Sequence, residues 1–279
     1  MQIINELNEL RIAVSALRAD HKRIGLVPTM GALHDGHISL VEAIRSHCDA
    51  VAASIFVNPR QFGEGEDLDA YPRTLQADAE MLEAKGVSIL WAPRASEVYP
   101  PGFATRVEVD GLTQGYCGAA RPGHFDGVAL IVSKLFNQVQ ADTAIFGEKD
   151  WQQLAIIRRM ARDLDFNIDI LGAPTMRDTD GLAMSSRNQY LSDEERQQAA
   201  ALPLALHTAA QEIRSGADVP AALDRATAQL KIAGFDEPDY LALVDEISLM
   251  PLNKSQKLNM RLLVAAKIGK TRLIDNLAV

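Results

Sequence analysis

The sequence predicts an α/β protein with a parallel sheet, followed by a smaller α+β domain. Short β-branched runs alternate with helical patterns over the first two-thirds of the chain, which is typical of parallel strands joined by crossover helices. These runs are largely apolar, as in strands that are buried on both faces. After Pro174 the order changes, because helical patterns come first and strand candidates follow.

Proline ends the first two strands of the predicted sheet, at Pro28 and Pro59, and Gly86 stands where the C-cap of a helix is expected. The predicted strands are residues 23–27, 51–57, 87–91, 143–146 and 168–171, with a further strand at 105–109 in a polar, Pro/Gly-rich stretch. The predicted helices are residues 38–47, 75–85, 127–139 and 151–164.

A second domain is predicted from the change of pattern near residue 175. A loop at 174–191 precedes two helices, 192–215 and 219–233, and three short strands, 240–244, 262–266 and 272–274. We therefore expect one domain over residues 1–175 and a smaller one over 176–279.

Composition narrows the class of protein. The 279 residues are 47% hydrophobic and 23% charged, which is ordinary for a globular protein with a core, and the net charge of −9 argues against non-specific nucleic-acid binding. No secretory signal or membrane span is visible, so we expect a cytoplasmic protein without membrane contact. Cys48 and Cys117 have no paired spacing and are expected to be reduced, incidental thiols.

The segment from Pro28 to His37 is the first candidate for chemistry. It joins a strand to a helix at the carboxyl edge of the sheet, where open α/β sheets bind ligands and a helix N-terminus attracts anions. His34 and His37 can donate hydrogen bonds to a phosphate there. The alternatives are an incidental histidine pair or a zinc site, but zinc needs a third ligand that the pattern lacks.

Two further segments carry cations or hydroxyls in turns. Lys149 follows the predicted strand 143–146 and can reach phosphates, although most such turns are merely solvated. Ser185, Ser186 and Arg187 lie in the loop after Pro174, where they can close over a nucleotide or form an ordinary serine-rich surface loop.

Amides and a basic turn form a fourth group, with Asn58 and Gln61 after the second strand, Gln153 after Lys149, and Arg121 before a helix. They can form hydrogen bonds with the hydroxyls and carboxylate of a small polar substrate, or serve only as caps and helix-surface residues. Residues 269–271, Gly-Lys-Thr, resemble the end of a P-loop. Val264 stands where its first glycine should be, so we interpret them as a chance match.

Together these segments resemble the pantothenate synthetase (pantoate–β-alanine ligase) family of H-x-G-H nucleotidyltransferases. The resemblance rests on P-T-M-G-A-L-H-D-G-H, S-I-F-V-N-P-x-Q-F, Y-P-R-T, R-P-G-H-F, F-G-E-K-D-x-Q-Q-L and D-G-L-A-M-S-S-R-N, and it continues to L-I-D-N at 273–276. It implies a Rossmann-like domain, a C-terminal lid and a homodimer. It also implies that ATP with Mg²⁺ and pantoate give pantoyl adenylate, from which β-alanine makes pantothenate and AMP.

The resemblance also implies residue roles. His34, His37 and Lys149 are expected to stabilise the transferring phosphate, helped by Ser185, Ser186 and Arg187. Gln61 and Gln153 are expected to bind pantoate, with Asn58 and Arg121 nearby. The implied ATP site consists of Pro28, Thr29, Met30, Gly31, Ala32, Leu33, His34, Asp35, Gly36, His37, Gly147, Glu148, Lys149, Asp150, Met176, Met184, Ser185, Ser186 and Arg187.

Some questions stay open from the sequence. No protein ligand for Mg²⁺ is identified, and His37 is only a family-style candidate for proton transfer when β-alanine attacks. One alternative function is a nucleotidyltransferase that keeps AMP or CMP on its product and needs no amine. Another is a non-catalytic nucleotide-binding regulator, although such a protein need not keep His34, His37, Lys149 and Arg187.

Overall fold

The apolar runs of the first part of the chain form a parallel sheet in the computed structural model, which describes residues 1–66, 68–257 and 259–279. Its strand order is β1-β4-β3-β2-β5-β6, and each neighbouring pair is parallel. The strands are β1 (Gln2–Ile4), β2 (Ile24–Thr29), β3 (Ala50–Ile55), β4 (Ile89–Trp91), β5 (Thr143–Gly147) and β6 (Asp169–Ala173).

Helices flank this sheet and continue into the C-terminal part of the chain. Their apolar faces are buried, as the 3.6-residue spacing predicts. They are α1 (Leu7–Ala19), α2 (Asp35–Ile44), α3 (Leu75–Ala84), α4 (Ala95–Val98), α5 (Tyr116–Ala120), α6 (His124–Val139), α7 (Trp151–Asp163), α8 (Asp193–Ala199), α9 (Ala201–Arg214) and α10 (Val219–Ile232). Among the described residues, no helix is both long and apolar enough to cross a bilayer.

The order in which the chain adds strands to the sheet reverses between β2 and β5, which are neighbours in the sheet. From β2 the chain proceeds to β3 and β4 on one side, whereas β5 and β6 extend the sheet on the other. In open parallel sheets, a ligand crevice forms outside the carboxyl ends of the strands at such a switch point. The turns after β2 and β5 are therefore placed to bind a ligand.

The C-terminal part has its own antiparallel sheet and core. Its strands, in the order β7-β8-β9, pack with α9 and α10 around apolar side chains such as Leu206, Leu230 and Leu262. They are β7 (Tyr240–Asp245), β8 (Met260–Ile268) and β9 (Thr271–Ala278). Gly269 and Lys270 form the two-residue turn between β8 and β9, so the P-loop-like stretch is a hairpin turn.

The fold divides into two compact units, each of which consists of three separate segments of the chain. The first consists of Met1–Thr113, Arg121–Glu148 and Gln153–Pro174. The second consists of Gln114–Ala120, Lys149–Gln152 and Thr175–Val279. The turn that carries Lys149 thus belongs to the second unit, although the sheet strand just before it belongs to the first.

Several predictions about individual elements are wrong. Residues 105–109 form no strand, because they are mostly exposed and pair with no neighbouring strand among the described residues. The helix predicted over 192–215 is two helices, since Pro203 lacks an N–H and its ring would clash with a preceding carbonyl in a continuous helix. Two elements, β1 and α1, precede the first predicted strand.

Candidate active site

The histidine pair caps the first turn of α2, directly after the loop that follows β2. His34 is the N-cap residue, and its Nδ1 accepts a hydrogen bond from the Gly36 amide at 3.1 Å. The His34 amide in turn donates to Nδ1 of His37 at 3.4 Å. This reciprocal capping box brings the two rings to 4.1 Å between centroids. Both histidines therefore lie at a helix N-terminus at the ligand edge of the sheet.

These hydrogen bonds fix which ring nitrogen carries the proton. A nitrogen that accepts from a backbone amide cannot itself be protonated, so a neutral ring must carry its proton on Nε2. In this geometry, His34 and His37 are both Nε2–H donors. An array of donors at a helix N-terminus suits an anionic ligand such as a phosphate.

Asp78, on α3, holds the loop that leads to the histidines. Its carboxylate is buried and accepts hydrogen bonds from the amides of Ala32 and Leu33, both at 2.9 Å, and from the Thr74 hydroxyl at 3.2 Å. Gly31 and Ala32 both have positive φ, so the loop needs such support. Asp78 was not predicted as a functional residue, although an aspartate on the apolar stripe of a predicted helix was a readable signal.

Asn58 and Gln61 form a buried amide pair after β3. The Asn58 amide donates to Gln61 Oε1 at 3.1 Å and to the Gly127 carbonyl at 3.0 Å, while its Oδ1 accepts from the Tyr99 hydroxyl at 2.8 Å. Gln61 Nε2 lies 3.0 Å from the Met30 sulfur. Asn58 is therefore occupied in holding its neighbours. Burial raises the pKa of Tyr99 to about 12, which keeps its hydroxyl a donor.

Arg121 makes a two-pronged ion pair with Glu66, at 2.7 and 2.6 Å. This hydrogen bonding lowers the pKa of Glu66. Arg121 Nη1 lies 3.0 Å from Nε2 of His124, whose Nδ1 is 2.7 Å from the Gln61 carbonyl oxygen. Because a guanidinium only donates, His124 must donate from Nδ1 to Gln61. Residues 63–66 lie outside the motifs that the sequence singles out, whereas in the structure Glu66 holds Arg121.

The turn that carries Lys149 is fastened within the second unit. The Asn276 side chain donates to the Lys149 carbonyl at 2.8 Å, and the Trp151 indole donates to the Glu246 carbonyl at 2.9 Å. The buried Gln152 accepts from the Cys117 amide at 3.0 Å and donates to a carbonyl of the same segment. The Lys149 carbonyl and the first two residues of α7 are thus held by side-chain hydrogen bonds.

Residues 176–188, which carry the serines and Arg187, form a folded loop. Met184 donates to the Met176 carbonyl at 2.9 Å, and Ser185 caps a 3-10 helix by accepting from the Arg187 amide at 3.3 Å. Arg177 pairs with the buried Asp275 at 2.7 and 2.9 Å. Charged side chains therefore anchor the beginning of this loop.

The predicted site residues divide between the units. Residues 28–37, Asn58, Gln61, Arg121, Gly147, Glu148 and Gln153 belong to the first unit, and Lys149, Asp150, Met176 and residues 184–187 belong to the second. Within the first unit the structure joins His34 with His37, and Gln61 with Met30, Asn58 and Arg121. The described residues contain no cluster of three or more His, Cys, Asp or Glu suited to a metal ion.

Comparison with known proteins decides the family. The family model described as pantoate-beta-alanine ligase matches residues 2–278. The chain belongs to the pantoate-beta-alanine ligase family. It is accordingly an enzyme, a ligase of pantothenate biosynthesis. The pantothenate synthetase from Sphingopyxis alaskensis is 61% identical to it, and the alignment covers 100% of both chains. The pantothenate synthetase from Rhizorhabdus wittichii is 57% identical, and the alignment covers 100% of this chain and 99% of that one.

Solved structures of the family share the whole fold. A pantothenate synthetase from Thermus thermophilus superposes with a TM-score of 0.94 at 47% identity, covering 100% of this chain and 99% of that one. The ligase from Francisella tularensis, complexed with beta-gamma ATP and beta-alanine, gives a TM-score of 0.82 at 34% identity, covering 100% and 97%. The predicted parallel sheet with a smaller C-terminal α+β part is thereby confirmed. The roles of individual residues stay predictions.

Proposed function

We propose that this enzyme condenses (R)-pantoate with β-alanine, using ATP, and releases pantothenate, AMP and pyrophosphate through a pantoyl-adenylate intermediate. The observation that carries the proposal is the capped histidine pair, His34 and His37, at the N-terminus of α2 beside the switch point of the sheet. The family membership supports pantoate as the carboxylic acid and β-alanine as the amine that are joined. The complex of the Francisella tularensis ligase with beta-gamma ATP and beta-alanine supports ATP as the third substrate.

The chemistry explains why ATP is needed. A carboxylate and an amine form a salt in neutral water, so the carboxylate oxygen must first become a leaving group. A pantoate oxygen attacks the α-phosphorus in line, and the bond from that phosphorus to pyrophosphate breaks. The β-alanine nitrogen then attacks the acyl carbon, the amine loses a proton, and AMP leaves with the former carboxylate oxygen. Positioning and charge stabilisation are therefore the protein's main tasks.

His34 and His37 stabilise charge on the phosphates in this proposal. Their Nδ1 atoms accept hydrogen bonds from backbone amides, so each neutral ring carries its proton on Nε2 and donates from there. This favours a phosphate-stabilising role for His37 over proton acceptance from β-alanine, because accepting a proton would require the other tautomer. The turns 28–37 and 147–150 would form the ATP site together with Met176 and Met184, and Asp78 would hold the first of them in shape.

Lys149, Ser185, Ser186 and Arg187 complete the phosphate site in the proposal. A lysine is a compact charge suited to phosphate, and an arginine offers a planar fork of donors. Residues 176–279, together with the Lys149–Gln152 turn of the same unit, would act as the lid over a first domain, residues 1–175, that binds ATP and pantoate. A lid that excludes water would protect the adenylate from hydrolysis.

Gln61 and Gln153 bind pantoate in the proposal, whereas Asn58 and Arg121 act by holding Gln61. The buried contacts of Asn58 and the Glu66 ion pair of Arg121 support this division of roles. Mg²⁺ enters with ATP as part of the substrate, where it neutralises charge on the leaving pyrophosphate.

The family resemblance also supports a cytoplasmic homodimer. Sedimentation equilibrium should give roughly twice the 30.4 kDa of one chain. A mass of a single chain at micromolar concentration would remove the dimer from the proposal and leave the chemistry untouched.

Exchange of labelled pyrophosphate into ATP tests the proposed function, with Mg²⁺ and pantoate present and β-alanine left out. Exchange that requires pantoate would support a reversible adenylation, and adding β-alanine should then yield AMP and pantothenate. Products without exchange would mean that pyrophosphate cannot return before the amine acts. A nucleotidyltransferase that keeps AMP on its product would ignore β-alanine. A folded protein that binds ATP but does neither reaction would be a nucleotide-binding regulator.

A further inference from the structure

Asn276, near the end of β9, contacts the residue that carries the proposed catalytic cation. Its side chain is buried, with Nδ2 donating to the main-chain carbonyl of Lys149 at 2.8 Å. Its Oδ1 accepts from Arg261 Nη1 at 2.6 Å, so both ends of the amide are engaged. A single amide thus links the Lys149 turn to β8 and β9.

Arg261 extends this link to the first residue of α7. Its guanidinium lies 3.4 Å from the centre of the Trp151 ring and 3.6 Å from the Glu246 carboxylate. The Trp151 indole donates to the Glu246 carbonyl at 2.9 Å. Lys149 is therefore followed, two residues later, by a side chain that the same arginine covers. The turn is held at two points by one group of side chains.

Asp275, the preceding residue on β9, fastens the start of the other phosphate loop. Its fully buried carboxylate takes both hydrogen bonds of the Arg177 pair, and Arg177 also donates to the Asn276 carbonyl at 3.3 Å. Arg177 opens the loop that reaches Ser185, Ser186 and Arg187. Two consecutive residues of one strand thus contact both segments that the proposed function assigns to phosphate in the second unit.

Packing alone does not explain these two residues. Aspartate and asparagine are disfavoured in strands, and buried polar groups contribute little net stability when apolar residues of similar size can replace them. The hydrogen bonds of these two side chains include bonds to the Lys149 turn, to Arg177, to Arg261 and to the strand itself. These contacts specify a geometry.

We propose that Asn276 is a positioning residue for Lys149, and that Asp275 performs the same task for the Arg177 loop. This inference rests on the proposed function, because it assigns to Asn276 the placement of a cation that acts in adenylation. The side chain of Lys149 begins from a main chain whose carbonyl Asn276 holds. A displacement of about 1 Å at a catalytic group can cost as much as roughly 10²-fold in rate.

Asn276→Asp tests the proposal with the smallest change of shape. The aspartate keeps an acceptor for Arg261 and loses the donor to the Lys149 carbonyl. We expect kcat for pantoate-dependent pyrophosphate exchange to fall by about 10- to 100-fold, with KM for ATP changed less than about threefold. Asn137→Asp is the matched control, because Asn137 also donates from Nδ2 to a main-chain carbonyl, that of Ser133 in α6, at 3.0 Å. It should keep wild-type exchange.

A double-mutant cycle separates positioning from stability. In a Lys149→Ala background, Asn276→Asp should change the exchange rate by less than about threefold, because the group it positions is gone. A further fall of about tenfold or more in that background would overturn the proposal and make Asn276 a structural residue. If Asn276→Asp lowers Tm by more than about 10 °C, Asn276→Ser takes its place in the same cycle.

The outcomes distinguish this inference from the proposed function. A wild-type enzyme without exchange or pantothenate formation would sink the proposed function itself. A wild-type enzyme that exchanges normally, combined with an Asn276→Asp variant of wild-type kcat, would leave the proposed function standing and remove the positioning role.

Discussion

The loop of residues 30–34 and the loop of residues 176–188 both carry groups suited to phosphate, but they are held in different ways. The first is held at its backbone, since the buried carboxylate of Asp78 accepts hydrogen bonds from two of its main-chain amides. The second is held through side-chain charges, with Arg177 on Asp275 and Arg196 on Asp178 and Asp180. Arg196 and its two partners are partly exposed.

The difference suggests a division of labour. A loop fixed by buried hydrogen bonds is preorganised and insensitive to salt, which suits groups that must meet a developing charge without reorganisation. A loop fixed partly by exposed ion pairs is weaker and is screened by salt, which suits a segment that opens and closes. Each consequence can be tested separately.

Removing the proposed phosphate donors should have the largest effect. We expect His37→Ala and Lys149→Ala each to lower the adenylation rate by about 10²–10³-fold, because each loses a group that stabilises transition-state charge. Pre-steady-state formation of pyrophosphate measures this. His47→Ala and Lys270→Ala, at exposed positions, are the matched controls. Wild-type turnover in a folded variant would remove that residue from the catalytic set.

Asp78→Asn should disturb the first loop without touching substrate. The amide can accept from only one of the Ala32 and Leu33 amides and presents a donor to the other. We expect a loss of roughly 1–3 kcal/mol in unfolding free energy and a fall of about 10- to 100-fold in adenylation rate. Urea unfolding and the exchange assay measure the two effects. Glu80→Gln, an exposed carboxylate-to-amide change on the same helix, should change neither. Unchanged exchange in Asp78→Asn would mean that the loop holds its shape without this carboxylate.

Gln153→Ala should affect pantoate more than ATP. We expect KM for pantoate to rise about 10- to 100-fold, because one buried hydrogen bond to a charged group contributes roughly 1.5–3 kcal/mol, while the Kd for ATP stays within about twofold. Initial-rate kinetics and calorimetry give the two values, with the exposed Gln197→Ala as control. An equal loss of affinity for pantoate and ATP would contradict a pantoate-binding role for Gln153.

High salt and low pH should weaken the ion pairs that hold the loop of residues 176–188, and we expect this effect to be the smallest of those predicted. Hydrogen bonding from Arg196 lowers the pKa of Asp180, so the stabilisation is complete above the ordinary pKa of 3.8 and is lost as pH falls through the lower, folded-state pKa. Amide exchange at 177–183 should increase about two- to fivefold in roughly 1 M NaCl at neutral pH. Exchange at 31–33 should not change. An equal response of both loops would contradict the comparison.

The ligand edge of the sheet was predictable from the sequence, because it depends on local patterns. β5 matches its predicted strand to within one residue, whereas β2 continues through Pro28 to Thr29, beyond the proline that was predicted to end it. His34 and His37 follow β2, at the N-terminus of α2. The chain after Pro174 was predicted as helices followed by strands, which the structure contains. Long, periodic segments carry their own signal.

The residues that hold the site were not predictable in the same way. Asp78, Glu66 and Asn276 act on partners 45, 55 and 127 residues away in sequence, so their roles exist only in the folded chain. The strand predicted at 272–274 stops before Asp275, whereas β9 extends from Thr271 to Ala278. Aspartate and asparagine are disfavoured in strands, yet Asp275 and Asn276, within β9, are both buried and hydrogen-bonded.

The fate of the pantoate carboxylate oxygen tests the central claim most directly. Pantoate labelled with ¹⁸O in its carboxylate is incubated with ATP, Mg²⁺ and β-alanine, and the nucleotide product is analysed by mass spectrometry. An acyl-adenylate mechanism predicts one ¹⁸O atom in AMP for each pantothenate formed, because the oxygen that bonds to the α-phosphorus leaves with AMP. Formation of ADP with ¹⁸O in inorganic phosphate would indicate an acyl phosphate and contradict it.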